Sequence, residues 1–432
     1  MATWKSLPET DPETLKALNG EIKRENTGLE LIPSENYVSK AVMTAMGSVF
    51  NNKYSEGYSG KRYYGGQEFT DAVETLAIKR AKDLFKAEHV NVQPYSGSPA
   101  NLAVYLAVME PGDKLMGLTL SQGGHLTHGY KVSQTGKLFN SFQYELDEET
   151  GTLDYDKIRK TAEKAEPQVI VSGYSAYPRE VDFKEFHEIA KDVGAYSMAD
   201  IAHIAGLIAA GEHQSPFPFT DIVTTTTHKT LRGPRGGMIM CKEKDRLKEK
   251  YHSDSKNNLA QRIDKTVFPG LQGGPHMNMI AGKAVAFKED LQPAFKKYAK
   301  QVVKNAKVLA DSLMDFGFEL VSGGTDNHLM LVDLTNKGVT GQEAETALDK
   351  AGITLNKNTV PFDKRKPFDP SGIRLGTPAI TTRGMVESDM EKIAEFINKV
   401  IENKKKESVL KKVRKEVKEL VGKYPLYDLY IS

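Results

Sequence analysis

The chain has 432 residues, 39% of them hydrophobic and 27% charged. At roughly 150 residues per domain this makes two or three structural units with a full core, which excludes a peptide hormone, a disulfide scaffold and a disordered chain. Lys and Arg number 59 against 57 for Asp and Glu, and the resulting net charge of +2 is too small to hold nucleic acid or an anionic membrane by charge alone. The single cysteine, Cys241, closes no intrachain bridge and builds no zinc site, which points to the cytoplasm. The opening MATWKSLPETDPETLK does not read as a signal peptide, and no apolar run approaches the ~18 residues of a membrane span.

Residues 12–30 are polar, with Leu15, Leu18 and Ile22 at helical spacing, so residues 1–32 read as a helical arm that needs an outside surface to lie on. Residues 31–70, with PSENYVS and NNKYSEGYSGKRYYGG, are too polar for core and too long for an ordinary connection, which predicts a functional loop region. From residue 71 the periodicity becomes regular. Val73, Leu76, Ala77, Leu84 and Phe85 mark one helix face, residues 100–109 a more buried helix, and Phe183, Phe186, Ile189 and Val193 a third. Short β-rich runs at 90–93, 114–120, 168–172, 195–200, 221–226 and 236–241 alternate with these helices, so a mostly parallel α/β sheet is expected, with functional groups gathered at the carboxyl ends of its strands. The large domain is expected to span residues 33–290. Within it the charged stretch 241–262 reads as a solvated surface excursion, and residues 276–289 as a helix. Residues 291–432 read as a smaller α+β domain, with helices at 294–316, 342–351 and 388–402 and strands around 317–321 and 329–333. Its Lys-rich end has Val409, Leu410, Val413, Val417 and Leu420 at helical spacing, an amphipathic helix with a solvated face rather than a nucleic-acid site.

Several glycine clusters raise the question of a phosphate site. GYSGKR at 57–62 only half matches a P-loop, because Arg62 stands where a magnesium-binding Ser or Thr would be needed. The segment Tyr95-Ser96-Gly97-Ser98-Pro99-Ala100-Asn101 is better placed: it follows a short strand and opens a helix, with Ser98 expected at the N-cap and Pro99 at the first helical position. Free N–H groups, the helix dipole, serine hydroxyls and a glycine permitting close approach converge there. Further on, Asp200 ends one predicted strand and Lys229 lies just past another. Alone, such an Asp is an ordinary helix cap and such a Lys an ordinary solvated one. Together with the cup, they supply what pyridoxal phosphate needs: an amine for a Schiff base, a carboxylate to keep the ring nitrogen protonated, and an anion cradle. The His125-x-x-His128 pair makes a weak metal signal, since no neighbouring carboxylate or cysteine in sequence completes it.

Six motifs in order make the chain recognisable: YSEGYSGKRYYGG around Glu56, SGSPAN at 96–101, GGHLTHG at 123–129, DIAHIAGL around Asp200, THKTLRGPRGG around Lys229 and SGIRLGTPAIT at 371–381. From about Leu31 to Arg383 the chain closely resembles serine hydroxymethyltransferases, pyridoxal-phosphate enzymes of the aspartate-aminotransferase fold (fold type I). The resemblance implies a large domain with a mainly parallel seven-stranded sheet, a small C-terminal domain and a homodimer with shared active sites. It implies Lys229 as the Schiff-base lysine, Asp200 as partner of the ring nitrogen, His125 stacked on the ring, and Ser175 and His203 beside it. Ser96, Gly97, Ser98 and His228 would hold the phosphate, joined by Gly273 and Gly274 from the neighbouring subunit. Arg374 would clamp the amino-acid carboxylate with help from Ser34. Glu56, Tyr54 and Tyr64 resemble the acid/base carboxylate and tyrosines contributed across the dimer. Leu120, Gly123, Gly124, Leu126 and Asn358 resemble the pterin-binding edge. Tyr95 and Pro99 depart from the His and Gln common at those places. The implied reaction is reversible conversion of serine and tetrahydrofolate to glycine and 5,10-methylenetetrahydrofolate. A threonine-type β-hydroxy amino acid aldolase is the alternative, using the same Lys, Asp and Arg without the pterin edge, and an idle nucleic-acid-binding protein is the reading from outside enzymes. No partner beyond small molecules and a second copy is expected, with no metal, nucleic acid or membrane.

Overall fold

In the computed structural model, residues 7–426 are described; the first six and last six residues, the extremes of the expected arm and small domain, lie outside them. The chain parts into two compact units, one of Val38–Lys300 and one joining the start, up to Tyr37, to the last part, from Gln301. The expected boundaries were 32/33 and 290/291.

The first unit is built on a seven-stranded sheet. In chain order its strands are β1 (His89–Asn91), β2 (Lys114–Leu118), β3 (Asn140–Tyr144), β4 (Val169–Ser172), β5 (Tyr196–Asp200), β6 (Ile222–Thr226) and β7 (Gly237–Cys241). Across the sheet they run β1-β7-β6-β5-β4-β2-β3. All neighbours are parallel except that β7 is antiparallel to both β1 and β6. VIVS of β4, IVTTT of β6 and GMIMC of β7 are buried at every position, the expected signature of strands covered on both faces. β3, with sequence NSFQY, gives no such signal because it is a polar edge strand whose first four residues are exposed or half-buried. β2 stops at Leu118, two residues short of expectation, because Leu120–Gln122 turns tightly and Gly123 has a φ of 107°, a conformation open to glycine. The helix Gly97–Val108 packs Ala100, Ala103, Val104 and Val108 against Met198, Ile222 and Ile239 of β5, β6 and β7.

Two sequence readings are corrected in this unit. The helix Glu68–Phe85 buries Thr70, Glu74, Ala77, Ala81 and Phe85, while Leu76 faces out. A paired Glu74, not an unbroken apolar stripe, sets its inner face. The stretch 241–262 is also more than a solvated excursion. Leu247, Leu259 and Ala260 are buried in the same core as the strands, and part of its charge is paired. Arg246 pairs with Asp221 at 2.8 Å, Arg262 pairs with Asp245, and Tyr196 donates its hydroxyl to Asp245 at 2.9 Å.

In the second unit, Glu319–Leu320, Leu329–Asp333, Gly372–Gly376 and Asn356–Asn358 form a four-stranded antiparallel sheet in that order. The initial helix, Pro12–Thr27, leads into Leu29–Glu30, which pairs in parallel with Ile353–Thr354. Leu29 and Leu31 enter a core with Leu309, Leu313, Ile353, Val413 and Val417, so the surface the arm needs is its own chain's last third. The Lys-rich end forms the helix Glu407–Val421 and buries Leu410, Val413, Val417 and Leu420, as the amphipathic spacing predicts. Arg383 closes this unit. Its guanidinium donates to the carbonyls of Glu25, Asn26, Gly28, Val421 and Tyr424 at 2.7–3.1 Å. Orphaned buried carbonyls cost about 1–3 kcal/mol each, so Arg383→Met is expected to lower stability by about 3 kcal/mol or more, read as a fall in the urea midpoint. An unchanged midpoint refutes the clasp.

Candidate active site

The parallel register decides what meets what. Asp200 at the end of β5 pairs with Thr224 of β6, and β6 runs out through Thr227 and His228 to Lys229. Between these strand ends and the start of the helix Gly97–Val108 lies a cavity of about 230 Å³. Nine of the expected residues line it: Ser96, Gly97, Ser98, His125, Ser175, Asp200, His203, His228 and Lys229.

The helix begins two residues earlier than expected. Ser96 is the N-cap with Gly97 at the first helical position, and Ser98 and Pro99 follow inside the first turn. Pro99 sits there without cost because first-turn N–H groups have no intrahelical acceptor. Ser96 makes no side-chain cap bond, and Gly97 and Ser98, whose first-turn N–H groups have no intrahelical acceptor, line the cavity. A Cβ on Gly97 would stand 2.9 Å from Thr226 Cγ2; only glycine lets the helix start approach β6 this closely.

Asp200 is fixed by three donors. Its Oδ2 accepts from Asn101 Nδ2 at 2.8 Å and His128 Nε2 at 3.0 Å, and its Oδ1 accepts from the Ala202 N–H at 3.1 Å. Burial by itself would raise its pKa, but the hydrogen bonds from His128 and Asn101 hold the carboxyl well below the usual range. It stays ionised. Asn101 is held in turn by Thr224, which donates to its Oδ1 at 2.7 Å. The backbone N–H of His125 donates to His128 Nδ1, which leaves the His128 proton on Nε2, aimed at Asp200. His125 Nδ1 likewise accepts from the Thr127 N–H at 3.2 Å, so its proton is on Nε2. Burial, followed by His128 and Lys229, pushes the His125 imidazole down to about 4. His228 is pushed down to about 3 by burial, Arg235 and Lys229, and its Nδ1 is buried without a hydrogen-bond partner.

The structure adds lining residues to which no role was assigned: Asn101, His128, Tyr174, Ala202, Thr226 and Arg235. Asn101, His128 and Arg235 stand inside the motifs SGSPAN, GGHLTHG and THKTLRGPRGG, and nothing in their spacing pointed to these contacts. The spacing argument that no carboxylate accompanies His125 and His128 is overturned, since their ligand atoms and that of Asp200 lie within 4.8 Å of one another. Hydrogen bonds already occupy that group.

Glu56, Tyr54, Tyr64, Gly273 and Gly274 are not among the lining residues and gather elsewhere in the same unit. The Tyr54 and Tyr64 rings meet edge to face at 5.3 Å. Glu56 pushes the Tyr54 phenol up, by its charge first and then by accepting its hydrogen bond. A Cβ on Gly273 would stand 3.3 Å from Glu56 Oε1, and one on Gly274 3.3 Å from the Tyr54 ring. Tyr95 ties this group to the cup, donating its hydroxyl to Gly274 O at 2.8 Å and stacking on His276. Arg62, the residue that spoils the P-loop match, has a structural task. It pairs with Asp71 and Glu74 and donates to the carbonyls of Ser55 and Gly57, on either side of Glu56, at 2.9 Å. Leu120, Gly123, Gly124 and Leu126 form the turn after β2, where Gly123 O accepts from the Ser175 N–H at 2.8 Å.

Arg374, Asn358 and Ser34 belong to the second unit. Arg374 is opposite Asn356 in register and donates Nε to its Oδ1 at 3.1 Å; burial pushes the guanidinium down to about 10. Gly376 donates its N–H to Leu31 O at 2.8 Å, which brings the segment of Ser34 against the end of the Arg374 strand.

Residues 7–397 match the family model described as serine hydroxymethyltransferase. A serine hydroxymethyltransferase of Methanosarcina barkeri (strain Fusaro / DSM 804) is 56% identical over 421 residues, covering 98% of this chain and 99% of that one. The chain belongs to the serine hydroxymethyltransferase family. Its sheet order and the strand-end positions of Asp200 and Lys229 are therefore the fold-type-I arrangement expected from the motifs.

The His125 values carry a sign. Its pKa is 6.5 in an ordinary setting and about 4 here, so between those values the unfolded chain binds more protons. The stability held by neutral His125 is complete above pH 6.5 and falls as pH drops toward 4. Its ring proton resonances should stay flat from pH 8 to about 5; a midpoint near 6.5 would refute the burial argument.

Proposed function

We infer that this chain interconverts L-serine plus tetrahydrofolate and glycine plus 5,10-methylenetetrahydrofolate, with pyridoxal phosphate as cofactor. The observation that carries the reading is the convergence of Lys229, an ionised Asp200 and the open helix start at Ser96–Ser98 on one cavity. The residues fit the cofactor. Gly97 lets the helix start lie against Thr226 of β6, His228 Nδ1 is a buried polar atom awaiting a partner, and the first-turn N–H groups suit an anion. When bound, pyridoxal phosphate condenses with an amine and withdraws electrons from the carbon that carries it.

The rest of the work falls to the chain. Lys229 is the amine that holds the cofactor aldehyde. Ser96, Gly97, Ser98 and His228 hold its phosphate, and Asp200 keeps the proton on its ring nitrogen. His125, uncharged and with its Nδ1 tied back to Thr127, offers a flat ring surface that does not repel a cationic heterocycle. Ser175 and His203 flank the ring. Arg374 grips the amino-acid carboxylate with its fork, oriented by Asn356 and assisted by Ser34. The turn Leu120, Gly123, Gly124 and Leu126, with Asn358, forms the pterin edge.

A homodimer supplies the remainder. Glu56, Tyr54, Tyr64, Gly273 and Gly274 serve the cofactor of the second copy, Glu56 moving the proton and the glycines meeting the phosphate. The support is a set of exposed large apolar side chains in the same stretch, Val49 79%, Tyr63 73% and Phe69 69% exposed. No helix among the described residues is long and apolar enough to cross a membrane, and the buried lone thiol of Cys241 suits the cytoplasm. An aldolase reading is not favoured, and the basic last helix buries its apolar face in the core.

Borohydride treatment of the loaded protein followed by peptide mapping should place the pyridoxyl label on Lys229, and serine cleavage should depend on tetrahydrofolate. A label elsewhere, or cleavage indifferent to folate, overturns the reading. The shared site has its own measurement. Mixing Glu56→Gln with Lys229→Ala chains should restore up to about half the native activity per heterodimer, since one site is then intact. Confirmed subunit exchange without recovered activity rules it out.

A further inference from the structure

Within the first unit, the helix Met277–Asp290 presents Lys283 to the core, 2% exposed. Burying an ammonium group costs several kcal/mol unless its donors are met, and a Met or Leu would fill the same space. Its three protons have three takers: Nζ lies 2.6 Å from Val92 O, 2.7 Å from Gly237 O and 3.3 Å from Pro94 O. All three carbonyls lie just past the last registered pair of β1 and β7, Asn91 with Ile239.

That junction is where the cup is built. Pro94 leads directly into Tyr95–Ser98, and its carbonyl also accepts from the Gly237 N–H at 3.0 Å. The Gly237 backbone lies so close that a Cβ there would stand 2.4 Å from Ser96 O. On the other side Gly236 O accepts from the Thr227 N–H at 3.1 Å, next to His228 and Lys229. One ammonium therefore bonds the backbone strip that touches both walls of the phosphate end. Burial pushes it down to about 7, and its charge is one of those that disfavour protonation of His228.

We propose that Lys283 is a positioning residue for the cofactor phosphate, its amine fixing the strip Val92–Pro94 and Gly236–Gly237 on which the cup Ser96–Ser98 and the exit of β6 are set. The proposal rests on the cup being the phosphate site of pyridoxal phosphate. An anion held by backbone N–H groups is sensitive to their placement, whereas the pyridine ring is held by Asp200 and His125 elsewhere in the cavity. Disturbing Lys283 should thus weaken the phosphate's contribution selectively.

The experiment is a titration of the full-length apoprotein with pyridoxal phosphate and with pyridoxal, read by absorbance, for the native chain, Lys283→Met and Gly236→Ala. The second variant keeps the lysine but displaces it, because the new Cβ would stand 2.6 Å from Lys283 Cε and 3.0 Å from Nζ. The native chain should prefer the phosphorylated form. Lys283→Met should lose about tenfold or more of that preference, Gly236→Ala less but in the same direction, and inorganic phosphate should compete more weakly in both. A general loss of stability lowers both affinities and leaves their ratio alone. Folded variants with the native ratio overturn the role of Lys283, and if Lys283→Met does not fold, Gly236→Ala decides. A native chain with no preference for the phosphate would instead overturn the cup itself.

Discussion

The ionised carboxylate of Asp200 is the constraint around which the candidate site is organised. A buried carboxylate in apolar surroundings takes up a proton, and this one is prevented from doing so by Asn101 from the helix Gly97–Val108, His128 from the turn after β2 and the N–H of Ala202. Each donor comes from a different element, and each is oriented in turn: Asn101 by Thr224 of β6, and His128 by the backbone of His125. One charge therefore sets the relative positions of β5, β6, the helix start and the turn that carries His125. The same network fixes the His125 and His128 tautomers, with both protons on Nε2.

The sheet makes this possible through one irregularity. β7 runs against its neighbours β6 and β1, so the chain after Lys229 turns back alongside the strand that delivered it. This brings Gly236 and Gly237 beside the cup, just past the last registered pair of β1 and β7. The glycines allow the approach, and Lys283 supplies the donors. The carbonyls of Val92, Pro94 and Gly237 would be costly to bury unmet, and Lys283 meets all three together, the condition under which such a network gives a defined geometry.

The loop region of residues 31–70 follows the same logic with different partners. Its tyrosines and glycines look like an unstructured surface in sequence, yet Arg62, buried beneath it, ties the carbonyls on both sides of Glu56 to Asp71 and Glu74. The carboxylate thus sits on a braced backbone while the side chains of Tyr54, Tyr63 and Tyr64 remain open to solvent.

The sequence by itself determined the α/β class and most strand and helix positions, because buried parallel strands are apolar runs, and it placed Ser96, Gly97, Ser98, Asp200 and Lys229 in the cavity lining, because cup, Asp and Lys occur in a fixed order at strand ends; His125, Ser175, His203 and His228 were legible only through the family motifs. It also determined the last helix, whose apolar stripe is the one buried. Only the tertiary structure decided that Asn101 and His128 bind Asp200, that Arg62 braces Glu56 and that Lys283 lies under the cup, since these pairs are separated by 99, 72, 6 and more than 180 positions, and even the nearest is set by the antiparallel pairing of Gly57 with Arg62. Likewise β3 and the inward Glu74 were not legible, because polar residues on an edge or in a buried ion pair break the apolar periodicity. The arm's destination was a tertiary decision for the same reason: Leu29 and Leu31 are ordinary apolar residues until Ile353 and Val417, more than 300 positions away, supply the surface that covers them.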